Sequence, residues 1–473
     1  MGRGDMEPES AQPTESATFL ATQLANATSK PPGIPRTKAT LDVVSAAREA
    51  GYDELLAQAE IELIGCHLQG RNLGKALEAF SSTLTRLLYR PELYDSRSLS
   101  QLGRFFPEVI ESAACHPDVP LSLINHLLVG LEAFQESLDP SPAASDYLRH
   151  NTRLALGQPP TERSFLDRAI DRITPADSRS LQRAIDITQI EMAAATHPDA
   201  ALQVAWRMLT HELPGGQKAR LLRVMLPALV AQRAWQVAWE AHLISYEYDR
   251  EVSRLADLAE HFRFLAISGM WRRLVKVLER HLALIRHAHD PWDLCLGLRG
   301  AVGSLESLVF NGYGGYQLKV SLAPAARFHE LPALVRPTVR EARDALGRAL
   351  SGLARRFDDR NGTVEVSVSS GLLGYTPLPD GLVLAGNEGD ARFMARLLRA
   401  RALLECDQGF DALLLLGGLE QTNFPSVVRL APEIRMLTSL ARMQMSHDAA
   451  DRLENQPAPH ESGTENQQRT GSD

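Results

Sequence analysis

The hexapeptide ALQVAW at residues 201–206 returns as AWQVAW at residues 234–239, 33 positions later. A period in the mid-thirties is the length of one helical hairpin with its turns, so the echo indicates an internal repeat. Residues 180–199 and 219–232, which precede the two copies, both place apolar side chains at the spacing of an amphipathic helix. We therefore expect each copy to open the second helix of a hairpin.

Two further observations support a repeat. Residues 253–269 and 270–284 form another predicted pair, in which Trp271 follows Trp235 by 36 positions. The sequence AACHPD, ending at Asp118, recurs 81 residues later as AATHPD. In both copies Pro blocks continuation of the preceding helix and Asp is a suitable cap for the next one.

Equivalent positions near the start of the second helices carry similar residues. Residues 53–70 and 73–88 make an earlier pair, because Gly70 ends the first apolar stripe as a helix-terminating glycine would. We expect the small residues to let stacked helices approach and the tryptophans to fill the core between neighbouring units, rather than to form a ligand cage. The structural repeat positions are Leu73 and Ala76, Leu202 and Ala205, Trp235 and Ala238, and Trp271 and Leu274.

The pattern resembles tetratricopeptide repeats over residues 40–290 and 390–450. The resemblance rests on Gly70 with Ala76, Leu77 and Phe80, on Gly269-Met270-Trp271, and more loosely on residues 409–413. The first helices carry apolar residues where that family has Gly and a large aromatic, and no unit shows the Lys and Asn pattern of a carboxylate clamp. The resemblance implies an all-α fold, a right-handed α-solenoid of stacked antiparallel helix pairs, whose concave surface binds a protein or peptide.

The helical rhythm stops between residues 310 and 390. Leu318, Val320 and Leu322 alternate with polar residues, a helix is expected over 337–357, and residues 361–371 alternate strictly, with 382–386 as a third apolar strand candidate. Alternation with a period of two favours β-strands, so we predict a small two- or three-stranded element inserted into the solenoid.

The predicted insertion contains the candidate partner-binding residues. Tyr313, Tyr316 and Tyr375 lie there beside flexible glycines, and amphipathic aromatic side chains on loops suit partner contact. The alternative interpretation is that the insertion only caps the array or covers one groove.

Composition limits the choice of partner. The 473 residues carry a formal net charge of −8 with a pI near 6.0, so we do not expect nucleic-acid binding. Lys accounts for 6 of the 50 basic residues. This Arg bias is compatible with phosphate or carboxylate recognition, but its spread along the whole chain favours GC-rich codon usage.

No catalytic residue, metal ligand or cofactor site is predicted. The four cysteines lack metal-binding or redox spacing, and His281, His287 and His289 do not share a helical face. The NGYGGY stretch at 311–316 lacks the Gly-Lys-Ser/Thr ending of a phosphate-binding loop. We therefore expect a protein that is not an enzyme.

The organisation expected along the chain has five parts. Polar residues at 1–37 and 454–473 predict disordered tails, flanking helical repeats at 38–309, the insertion at 310–390 and further repeats at 391–453. The N-terminus has no apolar leader and the longest apolar runs fall short of about 20 residues, which predicts a cytoplasmic protein without membrane insertion.

Three functions remain open from the sequence. The first is a protein–protein interaction scaffold or adaptor. The second is a ligand-sensing or transcription-linked regulatory module that works with a separate effector. The third is an enzyme with a site between residues 310 and 390.

Overall fold

The computed structural model describes helices along most of the chain and divides it into two compact units. Described residues are 12–136, 141–157, 164–174, 178–194, 196–251, 254–288, 290–322, 331, 333–371, 391–420 and 425–454. Unit one comprises Met1–Gln189 and Asp249–Leu382, and unit two comprises Ile190–Tyr248 and Val383–Asp473. The predicted all-α class is confirmed.

Unit one is a series of helices in which neighbours in sequence pack together. Its helices are α1 (Gln12–Ser29), α2 (Ile34–Ala50), α3 (Asp53–Gln69), α4 (Leu73–Tyr89), α5 (Ser96–Ala114), α6 (Leu121–Glu136), α7 (Pro142–Ala155), α8 (Phe165–Arg172), most of α9 (Arg179–Ala193), α13 (Leu255–Ile267), α14 (Trp271–His281), α15 (Pro291–Leu308), α16 (Val339–Asn361) and α17 (Glu365–Gly371). Consecutive contacts link α1 to α2, α2 to α3 and α3 to α4, while α5 packs on α3, α6 and α7.

Unit two contains helices from two separate parts of the chain. Its core joins Leu397 and Leu404 to Leu416, Ile434 and Ala441, all of which are buried. The helices are α10 (Pro198–Leu209), α11 (Gly215–Ala231), α12 (Trp235–Asp249, to Tyr248 in this unit), α18 (Ala391–Glu405), α19 (Gly409–Glu420) and α20 (Pro425–Glu454). Helix α10 packs on both α11 and α18, and α18, α19 and α20 pack on one another.

The same turn joins the helices of several pairs. One residue adopts the left-handed conformation, and the next N–H donates to the carbonyl five residues earlier, as Asn72 does to His67 and Ala234 to Leu229. This bond satisfies a carbonyl that the helix end leaves open. The next helix then begins two residues after the left-handed residue. The left-handed residues are Gly51, Arg71, Arg233, Gly269 and Asp407.

The two copies of the hexapeptide lie at different positions in their helices. Helices α4, α12 and α14 begin at Leu73, Trp235 and Trp271, directly after the shared turn. Helix α10 instead begins at Pro198, so Leu202 lies inside it. The small or apolar positions three residues on are fully buried in every case, and the residues are Ala76, Ala205, Ala238 and Leu274. Leu202 is also buried, whereas Leu73, Trp235 and Trp271 are half-buried.

Helices α13 and α15 approach each other closely in unit one. A Cβ added at Gly300 would lie 2.5 Å from the Cβ and 2.6 Å from the Cα of Ala259. At Gly297, a Cβ would lie 2.3 Å from the Cγ of Leu255. The two glycines on α15 therefore create the space that α13 occupies.

The predicted small β element exists, but with a different second strand. Ser321–Leu322 (β1) pairs antiparallel with Leu334–Val335 (β2). Leu318, Val320 and Leu322 are buried, as their alternation predicts. The strand predicted over 361–371 is wrong, because residues from Glu365 onward form α17. The candidate at 382–386 lies outside the described residues.

A tertiary cap explains this error. The Asp358 carboxylate, buried near the end of α16, accepts hydrogen bonds from the N–H groups of Val366 (2.9 Å) and Ser367 (2.8 Å). It thereby caps the start of α17 and overrides the β-propensity of the valines. Val366 is buried, while Val364 and Val368 are exposed, so the alternating valines do not share one face.

Part of the segment predicted as an N-terminal tail is helical in the structure. Gln12–Ser29 form α1, and α2 begins at Ile34, before the boundary expected at residue 37. Leu20 and Leu24 of α1 are buried in a core with α2 and α3. Residues 1–11 and 455–473 lie outside the described part of the chain.

Candidate partner-binding surface

The tyrosines proposed from the sequence do not share one described site. Tyr313 is half-buried in a kinked segment (Val309–Tyr313) at the end of α15, and Tyr316 follows it on the surface. The Tyr316 hydroxyl donates to Glu279 Oε1 at 3.4 Å, and the Lys319 N–H donates to the same oxygen at 2.9 Å. Tyr375 lies outside the described residues. Tyr316 thus has a partner within unit one.

A different surface in the same region carries a row of exposed charged and polar side chains. Residues spaced three or four apart share one face of a helix, and along α16 this spacing yields a continuous exposed row. The row consists of Arg340, Asp344, Arg348, Ser351 and Arg355. Gly347 and Gly352, beside the row, help to line an open groove of about 930 Å³ that Ser367 of α17 borders.

Two arginines of this groove have no partner within the described part of the chain. No described side chain or carbonyl accepts a hydrogen bond from Arg348 or Arg355. Arg343, also on the groove, forms ion pairs with Glu306 of α15 and with Asp344, which lies 2.6 Å away. With three arginines, Arg343, Arg348 and Arg355, and one carboxylate, Asp344, the lining of the groove carries a net positive charge.

Helix α16 contacts other segments of unit one through side chains outside the exposed row. Arg356 donates to both carboxylate oxygens of Asp118, at 2.8 and 2.9 Å. The Phe357 ring contacts Trp292 edge-on, with centroids 5.1 Å apart. A capping box between Thr338 and Glu341 secures the beginning of the helix. The outer row therefore lies on a helix whose position is fixed by its own core contacts.

Arg360 makes the most extensive attachment. Its guanidinium donates to the carbonyls of Ala114 and His116 at 2.8 Å each, and to those of Ala113 and Ala155 at 3.5 Å. Helix α5 ends at Ala114, so Arg360 satisfies carbonyls that the helix end leaves open. Burial lowers the pKa of Arg360 to about 10.

A separate cavity of about 180 Å³ lies in unit one, bordered by the ends of four segments. These are the α3–α4 turn, the end of α5, the start of α13 and the start of α15. Its apolar lining comes from Leu68, Leu73 and Ala288, and its polar lining from Arg71, Ser112, His116, Arg254, Asp290 and Asp293.

The polar groups of the cavity differ in their hydrogen-bond partners and in how burial shifts their pKa values. Asp293 accepts from Arg254 Nε at 3.4 Å and from the Leu255 N–H at 3.3 Å. Burial raises the pKa of the Asp293 carboxyl, and the neighbouring Arg254 charge opposes that effect. Nearby, burial raises the pKa of the Cys115 thiol well above its ordinary value, which leaves Cys115 a poor nucleophile.

No protein family, curated protein or solved structure matches the chain. In the described ranges no cluster of His, Cys, Asp or Glu is arranged to hold a metal ion. None of the helices described is both long and apolar enough to cross a membrane.

Sequence reasoning missed the α16 row although its signal was present. The helix over 337–357 was predicted, and Arg348 and Arg355 are seven residues apart, which places them on one face. Identifying the row also requires knowing which arginines of α16 form ion pairs with other parts of the protein. Glu306 and Asp118 lie far away in sequence, so their pairing with Arg343 and Arg356 had no local signal.

Proposed function

We propose that this protein is a cytoplasmic interaction scaffold with tetratricopeptide-like helical repeats, and that the outer row of α16 binds an acidic segment of a partner protein. The observation that carries the proposal is the pair of exposed arginines, Arg348 and Arg355, without an acceptor in the described structure. Carboxylates match the guanidinium fork with two parallel hydrogen bonds, which favours an acidic partner.

The spacing of the two arginines defines the partner further. Seven residues of α-helix span about 10.5 Å along the axis. A partner helix lying along the groove matches that interval with two Glu or Asp residues that are also seven positions apart. The glycines Gly347 and Gly352 remove side-chain bulk beside the row and let the partner backbone approach α16.

The attachment of α16 supports a preformed binding surface. Arg356 and Arg360 fasten the helix to residues of unit one through charge-assisted hydrogen bonds. Binding then requires ordering of the Arg348 and Arg355 side chains but no movement of the helix. A smaller ordering cost leaves more of the interaction free energy for affinity.

The direct test uses labelled helical peptides with glutamates at positions i and i+7, and matched peptides with glutamines there. Fluorescence anisotropy with the full chain should show binding of the glutamate peptide that weakens as salt increases. The double variant Arg348→Glu with Arg355→Glu should reduce affinity roughly tenfold or more. The corresponding double lysine variant should retain part of the binding, because it keeps both charges.

The control matches the change in net charge at exposed arginines elsewhere. Arg97 and Arg442 are exposed on α5 and α20, and their double substitution to glutamate should leave peptide binding unchanged. Affinity capture from the source cells should lose a specific partner only with the α16 variant. Equal binding of glutamate and glutamine peptides, or equal weakening by the control, would overturn the proposal.

A second candidate function is a ligand-sensing regulatory module. The cavity of about 180 Å³ favours it, because the cavity combines apolar walls with charged groups of both signs. The same chain can hold both functions, since the cavity and the α16 groove have no lining residue in common.

A further inference from the structure

The cavity between the α3–α4 turn and the start of α15 contains hydrogen-bond donors and acceptors, of positive and negative charge, that the described structure does not fully pair. Arg71 has no side-chain partner in the described structure. His116 Nδ1 lies 2.8 Å from the carbonyl of Ser112, so Nδ1 carries the hydrogen and Nε2 of the neutral ring is left as an acceptor. Asp290 uses Oδ1 to accept from the N–H groups of Trp292 and Asp293, while its other oxygen has no described donor.

These groups define a ligand with two charges. A guanidinium binds a carboxylate in a bidentate manner. A carboxylate oxygen and an imidazole nitrogen are both acceptors, which suits the three N–H donors of an ammonium group. Leu68, Leu73 and Ala288 add an apolar wall to the same cavity.

The geometry points to this cavity as a binding site for a free α-amino acid with an apolar side chain. The ligand carboxylate binds Arg71, its ammonium group binds Asp290 and His116, and its side chain packs on the leucines. The volume of about 180 Å³ is well above the need of a single water and below the range of drug-sized sites. This inference is independent of the acidic-segment site on α16.

The Arg254–Asp293 pair forms a fixed part of the cavity lining. Both oxygens of Asp293 already have donors, from Arg254 and from the Leu255 backbone. Arg254 also lies 3.9 Å from Asp257. We therefore assign recognition to Arg71, His116 and Asp290, and a supporting role to the internally paired groups.

Two substitutions remove the recognition charges while preserving the local backbone. Asp290→Asn removes the negative charge but keeps an oxygen that caps α15, because Asn is as good an N-cap as Asp. Arg71 has φ near 53°, a conformation that Asn tolerates better than most residues, so Arg71→Asn removes the guanidinium without straining the turn. Arg233→Asn is the matched control, since Arg233 occupies the equivalent left-handed position between α11 and α12.

The experiment titrates the full chain with the standard L-amino acids by calorimetry and thermal unfolding. We expect apolar L-amino acids such as leucine to bind and raise the melting temperature. N-acetyl-leucine and leucinamide, which each lack one charge, should bind roughly tenfold more weakly. Arg71→Asn and Asp290→Asn should each weaken leucine binding by a similar factor, and Arg233→Asn should not.

The single-charge analogues make the assignment of each group testable. Arg71→Asn should reduce leucine binding while changing leucinamide binding little, because leucinamide has no carboxylate. Asp290→Asn should weaken the binding of leucinamide, which keeps the ammonium group, and should change the binding of N-acetyl-leucine little, because N-acetyl-leucine has no ammonium group. If no amino acid binds at millimolar concentration, or if both variants bind leucine as the native chain does, the inference is overturned. The α16 double glutamate variant should bind leucine normally, so that failure of one proposal leaves the other intact.

Discussion

Arg355 and Arg360 lie on different faces of α16 and have opposite surroundings. Arg360 is largely buried and donates to carbonyls at the end of α5, whereas Arg355 is exposed and has no described partner. The same contrast separates Arg356, paired with Asp118, from Arg348. Residue type alone therefore does not assign a role in this helix, because the neighbours decide whether an arginine stabilises the fold or remains available for a partner.

The contrast extends to the helices beneath α16. Its inner face packs on α15, and α15 in turn packs on α13 through Gly297 and Gly300. Changes along this buried sequence of contacts should alter the free energy of unfolding. Changes on the outer row should alter binding and leave stability nearly constant.

The largest effect is expected at Gly300. Gly300→Ala would bring a Cβ within 2.6 Å of the Ala259 backbone, which cannot move aside as a flexible side chain does. We expect a loss of about 2–3 kcal/mol in the free energy of unfolding, measured by urea denaturation with circular dichroism.

Gly347 on α16 provides the control for this prediction. A Cβ there meets only Val302 Cγ1, at an ordinary 3.8 Å. Gly347→Ala should therefore be neutral or stabilise by up to about 1 kcal/mol, because Ala is the better helix former. A stable Gly300→Ala variant would show that α13 and α15 do not approach as closely as described.

Arg360 should give the next largest effect. Arg360→Met keeps the aliphatic bulk but leaves the carbonyl of Ala114 without this donor and the carbonyl of His116 with only the Val119 N–H. Hydrogen bonds from a charged group contribute about 1.5–3 kcal/mol, so we expect a loss of about 2 kcal/mol in urea denaturation. Arg355→Met, at an exposed site, should stay within about 0.5 kcal/mol of the native chain. Equal effects would contradict the distinction between the two faces.

The repeated helix pairs could be predicted from the sequence because their signals are local. An apolar stripe, a three-residue break and a second stripe are all contained within one hairpin, as in α3 and α4 or α13 and α14. Even there a single hexapeptide was insufficient. ALQVAW lies inside α10, whereas the Trp235 of AWQVAW begins α12, because the turn preceding each copy differs.

The features that the helical period does not predict depend on side-chain contacts between different elements. Residues 361–371 alternate as a strand would, yet the Asp358 carboxylate caps a helix there. The cavity gathers side chains from four segments, and Arg71 and Asp290 are 219 positions apart in the sequence. No local period encodes such contacts, so the amphipathic pattern predicts the helices but not the sites between them.

A third test compares a buried histidine with an exposed one. Burial, together with the charges of Arg280 and His261, lowers the pKa of His281 to about 4. In the unfolded chain His281 has an ordinary pKa near 6.5. Between pH 6.5 and about pH 4, His281 is therefore protonated in the unfolded chain but mostly neutral in the folded chain. Stability should therefore fall as the pH decreases below about 6.5, by at most about 1 kcal/mol between pH 6.5 and 5.5.

Substitution at the two histidines tests this origin. His281→Gln should reduce the slope of unfolding free energy against pH, measured by urea denaturation at several pH values. His126 is exposed on α6, so His126→Gln should leave the slope unchanged. An unchanged slope in His281→Gln would assign the pH dependence to other groups.

The smallest effects are expected at the shared turns, where Arg71 and Gly269 both adopt the left-handed conformation. Gly269→Ala should cost about 1 kcal/mol from backbone strain alone, because the nearest contact of a new Cβ is Trp271 Cζ2 at 3.9 Å. Arg71→Gly should relieve strain and gain up to about 0.5 kcal/mol, partly offset by the greater freedom of glycine in the unfolded chain. Thermal unfolding of both variants tests this prediction. If the backbone conformation of the turn limits stability, Gly269→Ala should lower the stability and Arg71→Gly should raise it. A loss of stability in both variants would mean that the Arg71 side chain makes a stabilising contribution.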